Sequence, residues 1–366
     1  MVRLSKTKAA VQGEENMQKR GTFPLRVLLC VFLFLFFSLG FAKAESPLPL
    51  MRISVENAPS HVHSIAVKRF AEDLAEKTRG RLRVEFYDSA RLYRDAQVLS
   101  ALAGDRVEMA VPGTWHFDRY EPNVGLFLLP AFYGRSKEAV HAVVDGAVGK
   151  RVASLIEENL PVVVPGRWLD LGYAHVYSSR PIRVREDMAG MKIRVAGGLG
   201  NALRIEALGG KALAIAWPDL PARLLQGDIE GVLTTHETIR SARLWESGLR
   251  HVFEDKQYFP QYIPLIRKSF WRRLSPDLQT LLRETWEAHV EEARREAGKA
   301  QEEARVILLN AGMVMHTPSE ERIAAYRSFL KTKEREMMEA IGVHPDLYAE
   351  TLEIFKTHSG NGTTDP

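Results

Sequence analysis

Hydrophobic and polar positions along this chain favour strands and helices in turn. Residues 52–56 read as a strand, and residues 81–87 alternate strictly, as a half-buried strand does. Between them, residues 63–78 carry apolar side chains at helical spacing and end at Gly80, a typical helix stop. Strand–helix alternation of this kind predicts parallel α/β sheets.

The same patterns continue through the rest of the chain. They predict strands over 107–111, 161–165, 171–178, 191–195, 212–216, 229–234 and 262–270. They also predict helices over 96–103, 136–158, 201–208, 319–340 and 345–358, together with one helix that begins at residue 218 and another that ends near residue 245. The longest helix begins at Ser275, a good N-cap, and runs to about Asn310. Its length of about 50 Å exceeds one small lobe, so we expect it to pack along two lobes. A coiled-coil dimer helix is the alternative.

The first 44 residues read as a signal peptide. An apolar run over residues 25–42 follows Arg20, and Ala42-Lys43-Ala44 fits the small-x-small cleavage pattern. We therefore expect export to the periplasm with cleavage after Ala44. A membrane anchor is the alternative, because the run is near the length that spans a bilayer.

Removing this segment changes the charge balance and the cysteine count. The chain has 50 basic residues (Lys and Arg) and 46 acidic residues (Asp and Glu). Seven of the basic and two of the acidic residues lie in residues 1–44, so the remaining chain has 43 basic and 44 acidic residues. Such a balance does not support a nucleic-acid partner. The single cysteine is Cys30, so the mature chain is expected to have no disulfide and no cysteine-based zinc site.

The run Met188-Ala-Gly-Met-Lys-Ile-Arg-Val-Ala-Gly carries the most informative side chain. Its alternation predicts a strand that ends near Arg194, before the glycine-rich turn 197–200. A guanidinium is a planar fork suited to a carboxylate, and open α/β sheets receive ligands beyond their strand ends. Arg194 is therefore a candidate ligand contact, with a surface ion pair as the alternative.

Several segments, in this order, resemble one known family. They are Asn57, 80–87 (GRLRVEFY), 108–111 (EMAV), 128–130 (LLP), 187–195 (DMAGMKIRV), 226–231 (QGDIEG) and 274–278 (LSPDL). The chain resembles the solute-binding proteins of TRAP (tripartite ATP-independent periplasmic) transporters, in the dicarboxylate-binding, DctP-like family. The resemblance covers nearly the whole mature chain.

The resemblance implies a two-lobed periplasmic binding protein fold of the α/β class, with hinge-crossing strands and one long helix spanning both lobes. We expect lobe 1 to comprise 45–172 plus 261–300, lobe 2 to comprise 173–260 plus 301–358, and 359–366 to be a disordered tail. The implied function is that of a receptor which binds a small carboxylate between the lobes. The implied partners are the small and large membrane subunits of a TRAP transporter.

The resemblance also suggests ligand contacts. Arg194 takes the ligand carboxylate and Trp217 packs a ring against the ligand, although Trp217 could instead be core. Thr235 could cap a helix instead of binding ligand, and Trp115 and Phe117 could be core. The predicted set is Asn57, Trp115, Phe117, Trp168, Asp170, Tyr173, His175, Arg194, Trp217, Thr234, Thr235 and His236.

The sequence departs from the family at Ala174, where a second arginine often assists with the carboxylate. A second anionic group on the ligand is then absent, or held by His175 or Arg167. This weakens the case for a four-carbon dicarboxylate.

Enzymatic motifs are weak. His61 and His63 lack a third ligand at useful spacing, His236-Glu237 lacks a second histidine one turn on, and no serine lies in a Gly-x-Ser-x-Gly elbow. The glycines of 197–200 do not have dinucleotide-binding spacing. We predict a receptor without cofactor or metal. The alternatives are a periplasmic hydrolase or isomerase using Asp170 and His175, and a ligand module of a sensor.

Overall fold

The computed structural model describes residues 48–359, which fold as an α/β protein with two main sheets. The strands are β1 (Leu50–Ser54), β2 (Arg83–Tyr87), β3 (Met109–Ala110), β4 (Val162–Val163), β5 (Leu169–Asp170), β6 (Ala174–Ser178), β7 (Lys192–Val195), β8 (Lys211–Ala214), β9 (Gly231–Thr234), β10 (His251–Tyr258), β11 (Gln261–Tyr262), β12 (Leu265–Arg267) and β13 (Val314–His316). The α-helices are α1 (Val62–Lys77), α2 (Asp95–Ala103), α3 (Lys137–Val144), α4 (Ala147–Asn159), α5 (Leu199–Ala207), α6 (Leu220–Leu225), α7 (His236–Ser241), α8 (Lys268–Trp271), α9 (Pro276–Asn310), α10 (Glu320–Ile341) and α11 (Pro345–Ser359).

The two sheets are linked by chain crossings. The first has the strand order β2-β1-β3-β12-β4, the second has the order β13-β10-β6-β9-β7-β8, and β5 pairs with β11 in a separate antiparallel ladder. The chain passes to the second sheet after β5 and returns after β10. These crossings confirm the α/β architecture with strands that connect two sheets.

The expectation of parallel sheets holds for only part of each sheet. β1 is parallel to β2 and β3, and β7 is parallel to β8 and β9. However, β12 is antiparallel to β3 and β4, and β6 is antiparallel to β9 and β10. The reason is that β6 and β10 carry the chain into and out of the second sheet side by side, so they run in opposite directions.

The long helix α9 contacts helices beside both sheets, as predicted. Trp286 packs edge-on against Phe70 of α1, with ring centres 5.0 Å apart. Further along, the Oε1 atom of Gln301 accepts the N–H of Glu237 in α7 at 3.0 Å. The long helix α9 thus packs against other helices of the same chain, α1 beside the first sheet and α7 beside the second.

Several local predictions differ from the structure. The helix expected over 136–158 is two helices, since the chain turns at Gly146, and a side chain at Gly149 would lie 1.7 Å from the Val144 carbonyl oxygen. The extended segment expected over 262–270 becomes helical at Lys268. Strand β10 was not predicted, because its charged central residues interrupt the apolar alternation.

The predictions for the two ends of the chain and for the lobe boundaries remain predictions. The signal peptide over 1–44 lies outside the described residues, and so does the tail, apart from Ser359, which ends α11. The lobe boundaries also remain a prediction. Helix α11, which the sequence assigns to lobe 2, packs against α3 and α4, which it assigns to lobe 1. Between residues 48 and 359, no helix is both long and apolar enough to cross a bilayer.

Candidate functional site

A cleft of about 40 Å³ lies where the carboxyl ends of strands from the two sheets meet. The first sheet contributes Glu56 and Asn57, which follow β1. The second contributes Arg194 of β7 and Thr234 of β9, and Trp217 follows β8. The cleft therefore brings together cationic, anionic, hydroxyl and aromatic groups in a space suited to a molecule of only a few heavy atoms.

Arg194 is held in place by strand geometry. Its neighbours Ile193 and Val195 point into the core, so the alternation of β7 directs Arg194 to the opposite face. Its side chain is 3% exposed, and Nε–H donates to the carbonyl oxygen of Ile215 at 3.0 Å. The guanidinium carbon lies 5.8 Å from the ring centre of Trp217. The result is a buried cation whose plane is set by a backbone contact.

Two threonines at the end of β9 have different roles. The Oγ1 atom of Thr235 accepts the N–H of Thr238 at 3.3 Å, which caps α7 as the capping interpretation predicted. Its side chain also lines the cleft. The hydroxyl of Thr234 lines the cleft and makes no hydrogen bond to residues in the described range. It is therefore the hydroxyl more available to a ligand.

The wall on the first-sheet side is a network around Tyr262. Asn57 Nδ2 donates to the Tyr262 hydroxyl at 3.0 Å and lies 3.2 Å from His63 Nδ1. The His63 and Tyr262 rings stack with centres 3.7 Å apart. Burial, assisted by the neighbouring His61, lowers the pKa of His63 well below its usual range. This wall is thus neutral at its aromatic face.

Trp115 closes the cleft against the glycine-rich turn. A side chain at Gly113 would lie 2.3 Å from the Trp115 ring, and one at Gly197 would lie 2.9 Å from the Trp115 carbonyl oxygen. Gly197 has φ +149°. The turn after Arg194 therefore needs glycine so that Trp115 can approach.

Two buried polar atoms of the cleft residues have no hydrogen-bond partner within residues 48–359. They are Trp115 Nε1, which can only donate, and Glu56 Oε1, which accepts when the carboxylate is ionised. Buried polar groups are normally satisfied, so two such atoms beside a cleft indicate positions where a ligand could complete the contacts.

The other predicted contacts lie elsewhere. Phe117 is fully buried in the core, and Trp168 packs against Phe127 with ring centres 5.0 Å apart. Four more residues line a second cavity: Asp170, Tyr173, His175 and His236. The structure brings six of the twelve predicted residues together at the cleft: Asn57, Trp115, Arg194, Trp217, Thr234 and Thr235.

Ala174 stands where the family often has a second arginine, and neither of the two side chains suggested in its place, His175 and Arg167, reaches the cleft. Ala174 is fully buried, and His175 lines the second cavity. The guanidinium of Arg167 pairs with Glu287 at 2.8 Å and with Glu291 at 2.5 Å, both on α9. Neither His175 nor Arg167 is among the residues that line the cleft.

Sequence reasoning missed Glu56, Tyr258 and Tyr262 as cleft residues. Glu56 had a signal, since it directly precedes Asn57 at a strand end. Tyr262 had none, because it reaches Asn57 from 205 positions away in sequence. Only the return of the chain after β10 brings them together.

The arrangement offers little for catalysis. Asp170 interacts with His141 Nε2 at 2.7 Å and accepts from Gln261 at 3.1 Å, whereas His175 Nδ1 accepts the N–H of Lys256 at 3.1 Å. Each of the two residues in the enzyme alternative thus has structural partners of its own. Within the described range no three His, Cys, Asp or Glu residues are grouped to hold a metal.

Comparison with known proteins points to one family. The C4-dicarboxylate-binding periplasmic protein DctP of Rhodobacter capsulatus is 27% identical over 288 residues, which cover 78% of this chain and 84% of that protein. A TRAP periplasmic solute-binding protein from Ralstonia eutropha H16, solved with (S)-2-acetolactate, superposes with a TM-score of 0.78 at 21% identity, covering 84% of this chain and 99% of that one. The corresponding protein from Sulfurospirillum deleyianum, solved with succinate, gives 0.77 at 22% identity, covering 84% and 100%.

The family model for bacterial extracellular solute-binding proteins, family 7 (DctP), matches residues 53–340. This family consists of receptors, which confirms the prediction of a solute-binding protein rather than an enzyme. The two-lobed α/β fold of the structural neighbours likewise confirms the predicted fold class. The chain is a member of the DctP family of bacterial extracellular solute-binding proteins.

Proposed function

We propose that this protein is a periplasmic receptor for a small monocarboxylic acid, which it passes to the small and large membrane subunits of a TRAP transporter. The observation that carries the proposal is Arg194, a buried guanidinium in the cleft, oriented by Ile215 and flanked by Trp217. A carboxylate is the ligand group that matches this fork. Export through the N-terminal segment, with cleavage after Ala44, belongs to the same proposal.

The charges of the cleft favour one carboxylate rather than two. Arg194 supplies a cation on the second-sheet side, whereas Glu56 places an acidic side chain on the first-sheet side. A second ligand carboxylate near Glu56 would meet a like charge, which raises the free energy of the complex. A hydroxyl on the ligand could instead donate to Glu56 Oε1, and an oxo or hydroxyl oxygen could accept from Trp115 Nε1.

The remaining roles follow from position. Thr234 offers a hydroxyl beside Arg194, and Asn57 offers an amide fixed by Tyr262. Trp217 covers the apolar part of a small ligand. The protein from Ralstonia eutropha was solved with acetolactate, a hydroxy-oxo monocarboxylate, and that chemistry fits these groups better than succinate does.

The test is calorimetric titration of the mature chain with matched acids. Lactate and 2-hydroxyisobutyrate represent monocarboxylates, succinate and malate represent dicarboxylates, and lactamide keeps the shape of lactate without its charge. We expect the hydroxy monocarboxylates to bind about tenfold tighter than the dicarboxylates, a difference of about 1.4 kcal/mol, and lactamide not to bind. Tighter binding of the dicarboxylates would overturn the ligand class, and equal binding of lactamide would overturn recognition of a carboxylate by Arg194.

A further inference from the structure

A second cavity, here called the rear cavity, lies along α9 and has a volume of about 580 Å³. Leu171 and Thr235 line the cleft, whereas the next residues in the chain, Gly172 and His236, line the rear cavity. Gln301 of α9 lies between the two, where its Nε2–H donates to the Leu171 carbonyl oxygen at 2.5 Å. The rear cavity is therefore separated from the cleft by the same short chain segments.

The acidic groups deep in the rear cavity already have partners within the protein. Glu254 accepts from Arg305 Nε at 2.6 Å and lies 3.3 Å from His236 Nε2. Although burial opposes it, hydrogen bonds from His236, Arg305 and Thr317 hold the pKa of Glu254 well below its usual range. Asp170 is likewise satisfied by His141 and Gln261. Both carboxylates are therefore engaged by polar or cationic side chains of the protein itself, among them Arg305 and Arg294.

Cationic side chains outnumber acidic ones around the rear cavity. The basic residues are Lys137, Lys256, Arg294, Arg295, Lys299 and Arg305, against the acidic residues Asp170, Glu254 and Glu302. Arg295 has no ion pair within residues 48–359. Among the described residues, the ion pair of Lys299 is with the exposed Glu303 at 3.5 Å, and that of Lys137 is with Glu138 at 3.7 Å. Exposed pairs of this kind contribute little, so these cations can turn to a ligand without a large loss.

The shape of the rear cavity suits an organic ligand rather than a bare ion. Tyr173 and Phe259 form an aromatic wall, with ring centres 5.0 Å apart in an edge-on arrangement. The volume falls within the range of about 300–1,000 Å³ that is typical of small-molecule sites. The cavity thus combines an aromatic surface with cations that have weak ion pairs or none within the described residues, which suits an amphipathic, anionic occupant.

We propose that the rear cavity is a second ligand site, which binds a small organic anion that carries two or more negative charges, from carboxylate or phosphate groups, on an aromatic or apolar body. The multiple charges are held by Lys137, Arg295 and Lys299, and the body packs against Tyr173 and Phe259. This site is independent of the acid bound in the cleft.

The experiment uses three probes on the full mature chain. Benzoate, phenyl phosphate and benzene-1,3,5-tricarboxylate share an aromatic ring and differ in charge. By calorimetric titration we expect saturable binding of the tricarboxylate, of phenyl phosphate or of both, at least about tenfold tighter than benzoate. Which of the two binds tells whether carboxylate or phosphate groups fit the site. If neither binds more tightly than benzoate, the proposal is wrong.

A matched pair of triple variants locates the binding. The first, Lys137→Gln with Arg295→Gln and Lys299→Gln, should weaken binding of the multivalent probe by about tenfold. The second, Lys68→Gln with Arg272→Gln and Lys331→Gln, removes the same charge from exposed positions elsewhere and should leave the affinity unchanged. An equal loss in both variants would show non-specific attraction and overturn the site. Lactate titration of both variants reports on the cleft separately, so failure here is distinguishable from failure of the proposed function.

Discussion

Replacing Arg194 gives the sharpest test of the cleft. Arg194 is 3% exposed, and its Nε–H donates to the Ile215 carbonyl oxygen. In Arg194→Ala the ligand carboxylate would be left in a buried place without its cation, and water could not replace the contact fully. Arg194→Lys keeps the charge but loses the planar fork, so it should recover only part of the affinity.

The size of the loss follows from the burial of the pair. Removing one partner of a buried, hydrogen-bonded charge pair costs about 2–5 kcal/mol. This corresponds to binding that is roughly 30-fold to several-thousand-fold weaker. Loss of the contact to Ile215 removes in addition one hydrogen bond from the folded protein, worth about 1 kcal/mol of stability. The free energy of unfolding should therefore fall much less than the free energy of binding.

The assay is calorimetric titration with lactate or the tightest monocarboxylate found, alongside thermal melts. Lys192→Ala is the matched control, because Lys192 lies two positions earlier in β7 but is exposed, and its affinity should equal that of the wild type. An affinity of Arg194→Ala within about threefold of the wild type would refute the assignment. A collapsed melting temperature would instead show that Arg194 serves the core.

Three further predictions concern the cleft and the hinge. Thr234→Val removes a hydroxyl at nearly constant shape and should weaken lactate binding severalfold, up to about tenfold, as measured by calorimetric titration. Thr235→Ala should instead lower the free energy of unfolding by about 1 kcal/mol, because it removes the helix cap, and urea unfolding measures this loss. Gly113→Ala should weaken binding and lower the melting temperature, because its new methyl group would lie 2.3 Å from the ring of Trp115; wild-type values for both would contradict the packing. Burial raises the pKa of Asp255 to about 7, against 3.8 for the exposed group, so the folded state binds the extra proton between these values and stability should fall as pH rises through this window. Urea unfolding at pH 5 and pH 8 should show this loss of stability in the wild type and not in Asp255→Asn. An equal change in the free energy of unfolding between the two pH values in both proteins would contradict the prediction.

Asp255 is a fully buried acidic side chain that connects parts of the chain belonging to the two sheets. Asp255 lies within the irregular stretch of β10 between Phe253 and Tyr258, where the register shifts. Its Oδ2 atom accepts from the Tyr133 hydroxyl at 2.9 Å and from Gln257 at 2.8 Å. Tyr133 belongs to a segment that precedes the first crossing, so this contact joins parts of the chain attached to different sheets. Because burial raises the pKa of this carboxyl group, its protonated form can hold such a contact with less penalty for buried charge.

The sequence by itself determined the local elements and the most important side chain of the cleft. The apolar face of α9 and the alternation around Arg194 depend only on neighbours within a few positions, so their periodicity is visible in one dimension. The cap at Thr235 is equally local, since donor and acceptor are three residues apart. Strand β10 was not predicted because its buried charged side chains are paired with residues distant in sequence, and hydrophobic periodicity carries no information about such partners.

Tertiary structure alone decided which polar residues share a site. Thr235 and His236 are consecutive, yet one lines the cleft and the other the rear cavity, because the chain turns into α7 between them. Asn57 meets Tyr262 only because β11 returns across the hinge. Hydrophobic pattern tells whether a side chain is buried, but not which distant segment covers it, and that depends on how the two sheets and α9 pack together.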